Sequence, residues 1–218
     1  MNKTKIGVLI SGSGTNLQAL IDACKDDDFP AEITIVISNN ANAFGLERAR
    51  VAGIDVAVID HRDYEDRDQF EAALTTELKQ HKVRLVCLAG FMRILNPSFV
   101  RSWQDRLINI HPSLLPSYKG LHTHERALED GIRITGCTVH YVRADVDTGP
   151  IIIQAAVPVL PHDTPENLAE RVLEAEHIIY PEAVRLVASG TARVRGFKVI
   201  IDGMPTPDHT LVSPLPEN

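Results

Sequence analysis

The chain has 218 residues, 44% of them apolar, and its 29 acidic and 22 basic side chains give a formal net charge of −7. This size suits one domain, and the acidic balance argues against a large nucleic-acid footprint, because phosphate backbones are bound by clustered lysine and arginine. The sequence has no uncharged apolar run of about eighteen residues and no signal-peptide pattern at its start. We therefore expect a soluble cytoplasmic protein, monomeric or homodimeric, without nucleic-acid or membrane partners.

Short β-branched runs alternate with helix-period segments in the first half, which predicts a doubly wound, mostly parallel α/β sheet. Strands are predicted at 5–10, 33–38, 56–59, 85–88 and 107–110, and helices at 16–24, 44–52 and 67–80. The second half predicts a helix at 123–130, an antiparallel edge from strands at 135–142 and 151–157, a long C-terminal helix, and a hairpin within 194–201.

The long helix has clear end signals: Thr164 as N-cap, Pro165 at the first helical position and Gly190 as the stop. Pro181 lies inside it and is expected to kink or split it, because proline removes a backbone donor. The proline-rich end of the chain is expected to fray. Cys24, Cys87 and Cys137 are widely spaced, which favours reduced thiols over disulfides or zinc.

A glycine-rich turn, Ser11-Gly12-Ser13-Gly14-Thr15-Asn16, follows the first strand and opens the first helix. The backbone N–H groups of Gly14, Thr15 and Asn16 would face an anion at the positive helix end, which favours a phosphate site. No lysine follows the second glycine, so the turn is not a Walker A loop, and it lacks the third glycine of a dinucleotide fingerprint. A purely steric reason for the glycines is the alternative.

The strand at 107–110 leads into Asn109-Ile110-His111-Pro112. Alternate side chains of a strand share a face, so Asn109 and His111 project together, and Pro112 favours ending the strand there. An amide that donates to a developing oxyanion and an imidazole that carries a proton form an acyl-transfer arrangement. A structural histidine is the alternative interpretation.

The acidic turn Asp145-Val146-Asp147-Thr148-Gly149-Pro150 lies between the two late strands. We predict that Asp147 approaches His111 in space, orients it and favours its protonated form by opposite charge. A simple Asx turn is the alternative, and it applies to Asp145 in particular.

Three further features bear on ligands. The turn from Gly90 to Leu95 combines an apolar lining with exposed backbone groups, which suits a flat heteroaromatic ligand or else ordinary core closure. Arg67 begins a charged helix and by itself indicates a solvated surface. His122 and His124 lack a third ligand in a recognisable zinc pattern, so we expect no metal.

Taken together, these segments closely resemble the phosphoribosylglycinamide formyltransferases, folate-dependent enzymes of purine synthesis. The resemblance spans roughly residues 5 to 190 and rests on the segments at 11–18, 43–49, 88–95, 109–124, 147–150 and 176–181. It implies a Rossmann-like formyltransferase fold and formyl transfer from the co-substrate 10-formyltetrahydrofolate to the amine of glycinamide ribonucleotide, with no metal.

The resemblance also implies residue roles within a single domain at 1–218: a phosphate-binding half (1–100), a catalytic and folate-binding half (101–190), and a C-terminal hairpin and tail (191–218). The implied catalytic residues are Asn109, His111 and Asp147. Substrate binding falls on Gly14, Thr15 and Asn16 for the phosphate and on Glu176 for the ribose. Folate binding falls on Arg67, Met92, Arg93, Ile94, Leu95, Asn109, Arg143, Ala144, Asp145, Val146 and Asp147.

Related enzymes that handle formyl groups share this catalytic domain. A formyltetrahydrofolate hydrolase is expected to carry an N-terminal regulatory domain, and a methionyl-tRNA formyltransferase a basic C-terminal domain; the first strand near Lys5 and the acidic end at Glu217 disfavour both. A different class, a non-catalytic phosphate-binding module that uses only the glycine turn, would need none of the three catalytic residues.

Overall fold

The computed structural model describes residues 3–203 and 210–213, which contain a seven-stranded sheet flanked by helices. Its strands are β1 (Thr4–Ile10), β2 (Ala31–Ser38), β3 (Val56–Val58), β4 (Leu85–Leu88), β5 (Leu107–His111), β6 (Ile134–Tyr141) and β7 (Ile151–Pro158). Its helices are α1 (Thr15–Cys24), α2 (Phe44–Val51), α3 (Arg67–Gln80), α4 (Pro97–Ser102), α5 (Thr123–Glu129) and α6 (Pro165–Ala188). A separate hairpin, β8 (Ala192–Arg195) and β9 (Lys198–Ile201), confirms the predicted one.

The strand order explains where a ligand can bind. The sheet runs β3-β2-β1-β4-β5-β6-β7, with parallel pairing from β3 to β5 and antiparallel pairing of β6 and β7. The chain places β2 and β3 on one side of β1 and then returns to place β4 and β5 on the other side of β1. In such sheets the loops at the carboxyl ends of the strands diverge at the switch point and leave a crevice. This strand order and pairing confirm the predicted doubly wound, mostly parallel α/β sheet with an antiparallel edge.

Two apolar layers cover the faces of the sheet. On one face Leu17 and Leu20 of α1 pack with Tyr180 of α6, whose hydroxyl donates to the carbonyl of Leu88 at 2.8 Å. On the other face Phe70 of α3 packs with Phe99 of α4. Both layers hold the carboxyl ends of β1, β4 and β5 side by side. In the described residues no helix is both long and apolar enough to cross a membrane.

The structure corrects two predictions. The split at Pro181 is wrong, because α6 runs unbroken from Pro165 to Ala188 with Pro181 inside it. Ile179, Tyr180, Ala183 and Val184 are buried on both sides of this proline, and that packing stabilises the helix against the lost hydrogen bond.

The second correction is α4, a helix the sequence interpretation missed because six residues are too few for a periodic pattern. Its signal was local: Asn96 precedes Pro97 at the first helical position. The three cysteines are free, as predicted; Cys87 and Cys137 are buried, whereas Cys24 is only half-buried. The predicted fraying concerns mainly residues 204–209 and 214–218, which lie outside the described residues.

Candidate active site

The carboxyl ends of β4 and β5 and the loop after β6 enclose a cleft of about 760 Å³. Most of the predicted catalytic and folate-binding residues line it: Arg67, Met92, Arg93, Ile94, Leu95, Asn109, His111, Arg143, Ala144, Val146 and Asp147. Asp145 lies outside this lining, and its backbone carbonyl accepts a hydrogen bond from the Thr148 hydroxyl at 2.9 Å. The structure thus gathers segments far apart in sequence into one cavity and leaves Asp145 outside.

His111 is the last residue of β5, and its ring is held between two acceptors. Nε2 lies 2.9 Å from the carbonyl oxygen of Tyr118, and Nδ1 lies 3.4 Å from Oδ2 of Asp147. A carbonyl only accepts, so Nε2 carries a proton. The same ring can present both donors of an imidazolium, one to each neighbour. The predicted approach of Asp147 to His111 is present in the structure.

The loop that carries Asp147 is shaped by close backbone contacts. Asp147 has φ 52°, a left-handed conformation that aspartate tolerates better than most residues. A Cβ at Gly149 would lie 1.6 Å from the carbonyl oxygen of Tyr141, so only glycine fits there. The backbone N–H of Gly120 donates to Asp147 Oδ2 at 2.9 Å. These contacts aim the carboxylate at His111.

His140 is a site residue that the sequence interpretation missed. It lies on β6 directly opposite Asn109, and its Nε2 is 3.3 Å from the Asn109 amide nitrogen. Its Nδ1 lies 3.0 Å from the carbonyl of Tyr141, and burial lowers the pKa of its imidazole. A neutral ring that donates from Nδ1 must accept at Nε2, so His140 fixes the orientation of the Asn109 amide. The available signal was a histidine in the predicted strand at 135–142.

The glycine turn forms the open N-terminus of α1. Gly14 is the N-cap at φ 70°, and no side chain in the described part of the chain caps the helix. A Cβ at Gly14 would lie 2.6 Å from the Cα of Gly45, so this glycine lets the N-termini of α1 and α2 approach closely. The arrangement leaves backbone donors at a positive helix end, as an anion site requires.

Asn16 and Glu176 connect this turn to α6. The Asn16 amide nitrogen donates to Glu176 Oε2 at 2.6 Å, and both side chains are buried. Burial raises the pKa of Glu176 to about 7, and the Asn16 bond opposes that rise. The Asn16 oxygen has no partner among the described residues. Glu176, the residue predicted to bind the ribose, therefore lies beside the glycine turn, of which Asn16 is the last residue.

The wall at 91–95 is apolar and accessible. Met92 is 69% and Ile94 66% exposed, whereas Leu95 is buried. Arg67 reaches this wall and donates to the Asn96 side-chain oxygen at 3.2 Å. On the opposite wall Arg143 is held by Asp105 at 2.5 Å. An accessible apolar wall with arginine side chains at its margins suits a flat ligand that carries polar edges.

His122 and His124 also line the cleft, and burial lowers the pKa of His124. His122 Nδ1 lies 3.3 Å from a carboxylate oxygen of Glu125. Residues 3–203 and 210–213 contain no group of three or more histidine, cysteine or carboxylate side chains placed to hold a metal ion. The chemistry that the cleft can offer is hydrogen-bond donation and proton transfer around a carbonyl group.

A formyl transferase family model matches residues 4–184. The chain belongs to the formyl transferase family. It is 46% identical to the phosphoribosylglycinamide formyltransferase of Escherichia coli (strain K12), over 93% of this chain and 95% of that protein. The solved glycinamide ribonucleotide transformylase 1 of Symbiobacterium toebii is 52% identical and superposes with a TM-score of 0.89, covering 91% of this chain and 94% of that one.

A larger protein also contains a related segment. The trifunctional purine biosynthetic protein adenosine-3 of Homo sapiens is 53% identical over 88% of this chain. This chain spans only 19% of that protein's length. The similarity therefore concerns one part of the trifunctional protein, whereas the matches to the Escherichia coli and Symbiobacterium toebii proteins cover more than nine tenths of both chains.

Proposed function

We propose that this chain transfers the formyl group of 10-formyltetrahydrofolate to the amine of 5-phosphoribosylglycinamide, giving formylglycinamide ribonucleotide and tetrahydrofolate. The family and the relatives named above support formyl transfer in purine biosynthesis. The observation that carries the assignment of residues is the convergence of Asn109, His111 and Asp147 at one wall of the cleft.

The two substrates are assigned to neighbouring parts of the carboxyl edge. The phosphate takes the N–H groups of Gly14, Thr15 and Asn16, and Glu176 accepts from the ribose hydroxyls. The pterin lies between the backbone of Met92 to Leu95 and the facing residues Arg143, Ala144, Val146 and Asp147, with Arg67 near the folate. This placement brings the amine and the formyl carbon together beside β5.

In the reaction, the neutral amine attacks the formyl carbon, a C–N bond forms, and the carbonyl oxygen becomes an oxyanion. The amide N–H of Asn109 and the N–H of His111 stabilise that charge. A proton passes from the attacking nitrogen to N10 of the folate, the C–N10 bond breaks, and the formamide carbonyl re-forms. The scheme uses no metal, and the co-substrate itself carries the formyl group.

His140 and the Tyr118 carbonyl give this scheme two structural requirements. His140 accepts one N–H of the Asn109 amide, which leaves the second N–H for the oxyanion. His111 Nε2 donates to Tyr118 in this structure, so substrate binding must exchange that carbonyl for the oxyanion. Asp147 Oδ2 lies 3.4 Å from Nδ1 and holds the ring in this orientation.

The decisive experiment follows a labelled formyl group. The purified chain is incubated with labelled 10-formyltetrahydrofolate and glycinamide ribonucleotide, and the product is identified by mass. We expect label in formylglycinamide ribonucleotide, and much slower transfer to the dephosphorylated glycinamide riboside. Labelled formate released without the amine would indicate a hydrolase, and phosphate-dependent binding without turnover would indicate a binding module; either contradicts the proposal.

The remaining expectations are part of this proposal. We expect small-molecule substrates only, a monomer or homodimer, action in the cytoplasm, and a single domain over residues 1–218. A sizing column with light scattering decides the oligomeric state.

A further inference from the structure

The hydroxyl of Ser11, the first residue of the glycine turn, contacts the folate wall at 91–95, and the proposed mechanism treats these two segments separately. The backbone N–H of Met92 donates to Ser11 Oγ at 2.8 Å. The backbone N–H of Ser11 donates to the carbonyl of Gly90 at 3.1 Å. One residue of the proposed phosphate turn is therefore bonded to both sides of the turn that forms the folate wall.

The hydroxyl has a fixed direction. Ser11 Oγ lies 2.5 Å from the side-chain oxygen of Asn39, a buried residue just after β2. That amide oxygen only accepts, so the one hydroxyl proton goes to Asn39 and a lone pair of Ser11 is left for the N–H of Met92. Because its proton and one lone pair are both used inside the protein, Ser11 acts as a positioning residue rather than as a ligand.

The far end of the folate wall is held by a different helix. The backbone N–H of Asn96 donates to Glu71 Oε1 at 2.7 Å, and its amide nitrogen donates to Asp68 Oδ1 at 2.7 Å. Glu71 and Asp68 belong to α3, and neither of these two bonds involves the glycine turn. The accessible residues Met92 and Ile94 lie between the two anchors. Of these two anchors, Ser11 is the one that also belongs to the glycine turn.

We propose that Ser11 couples the two substrate sites, an inference that rests on the proposed function. Phosphate binding orders the glycine turn, and through Ser11 this order extends to the backbone at Met92, so the folate then binds to a wall that has already lost conformational freedom. Coupling of this kind is reciprocal: the folate must raise the affinity for the ribonucleotide by the same factor.

The coupling is measurable in a complex that cannot react. Tetrahydrofolate lacks the formyl group, so its Kd can be determined by calorimetry with and without saturating glycinamide ribonucleotide. For the unaltered chain we expect the ribonucleotide to tighten tetrahydrofolate binding by about threefold to tenfold, within the range that one net hydrogen bond supplies. In Ser11→Ala we expect this ratio to fall to about one.

Two variants serve as controls. Ser11→Thr keeps a hydroxyl at the same place and should restore most of the ratio. Ser189→Ala removes a hydroxyl that bonds the Leu186 carbonyl at 3.2 Å at the far end of α6, and it should keep the full ratio. If Ser11→Ala does not fold, Asn39→Ala tests the same link, because it removes the acceptor that directs the Ser11 hydroxyl; it too should lower the ratio.

A ratio of about one in the unaltered chain, or an unchanged ratio in Ser11→Ala or Asn39→Ala, overturns the coupling. Turnover of glycinamide ribonucleotide by the unaltered chain tests the proposed function separately. Normal turnover without coupling therefore refutes only this inference, whereas absent turnover refutes the function.

Discussion

The glycine turn and the Asp147 loop both follow strands of the same sheet, yet they present different chemistry. The turn offers backbone N–H groups, and its key position, Gly14, is defined by the absence of a side chain. The Asp147 region offers side chains from β5, β6 and a loop, bonded to one another. Adding a Cβ should therefore damage the first region, and removing a polar group should damage the second.

The largest effect is expected in the side-chain region. His111→Ala removes an oxyanion donor and a proton carrier together, so kcat should fall by at least about a hundredfold. The KM for glycinamide ribonucleotide should change by less than about threefold, because the phosphate site is built from backbone groups elsewhere. Steady-state kinetics checks both values, and a near-normal kcat would refute the catalytic assignment of His111.

Glu176 lies on the phosphate side, but unlike the backbone donors of the glycine turn it is a buried side chain. Its contribution can therefore be measured through the free energy of unfolding. Its pKa is raised by burial from 4.5 to about 7. Between these values the folded state binds more protons than the unfolded state, so the free energy of unfolding must fall as pH rises. The stabilisation is complete below about pH 4.5 and is lost as pH rises through about 7.

From about pH 5 to about pH 7 the loss from this one carboxyl is on the order of 2 kcal/mol. Glu176→Gln cannot titrate, so its unfolding free energy should lack this decrease. Urea unfolding of both proteins at the two pH values gives the difference. Parallel pH dependence in the two proteins would show that the carboxyl does not titrate in this window.

Gly14→Ala should raise the KM for glycinamide ribonucleotide by about tenfold or more, because the new Cβ would meet Gly45 and must adopt φ 70°. Gly53→Ala is the matched control. Its φ is 71°, but none of the described atoms lies within 4 Å of the added Cβ. It should lower the melting temperature and leave the KM unchanged. Equal KM values in the two variants would mean that Gly14 contributes only backbone freedom.

The smallest effect is expected at His140. His140→Leu removes the acceptor that orients Asn109, and kcat should fall by about fivefold to tenfold, the effect of one net hydrogen bond. His140→Gln offers a side-chain oxygen to the same amide and should recover part of the loss. Rates measured across pH should keep the same profile in both variants. A wild-type rate in His140→Leu would show that Asn109 needs no such partner.

Local features were predictable from the sequence because they depend on neighbouring residues. The glycine turn, the ends of α3 at Arg67 and Gln80, and the Asn109–His111 alternation all follow from patterns within a few positions. The approach of Asp147 to His111 was a hypothesis that no local pattern establishes, and the resemblance added the catalytic role of Asp147. The contact itself depends on how the chain returns through β6.

The features that could not be predicted from the sequence depend on tertiary contacts between distant segments. The pairing of His140 with Asn109 follows from the antiparallel register of β5 and β6, and the bond from Met92 to Ser11 joins loops after β4 and β1. Pro181 stays helical because buried neighbours hold it, an effect that helix propensity does not contain. The residues that position the site are therefore harder to predict than those that perform the chemistry.

The most direct test of the central claim, that His111 and Asp147 act as one catalytic unit, is a double-mutant cycle on the formyl transfer rate. Each of His111→Ala and Asp147→Asn should lower kcat by at least about a hundredfold, and the double variant should be about as slow as the slower single variant, because the carboxylate acts through the imidazole. Losses that multiply in the double variant would show two independent groups and contradict the account.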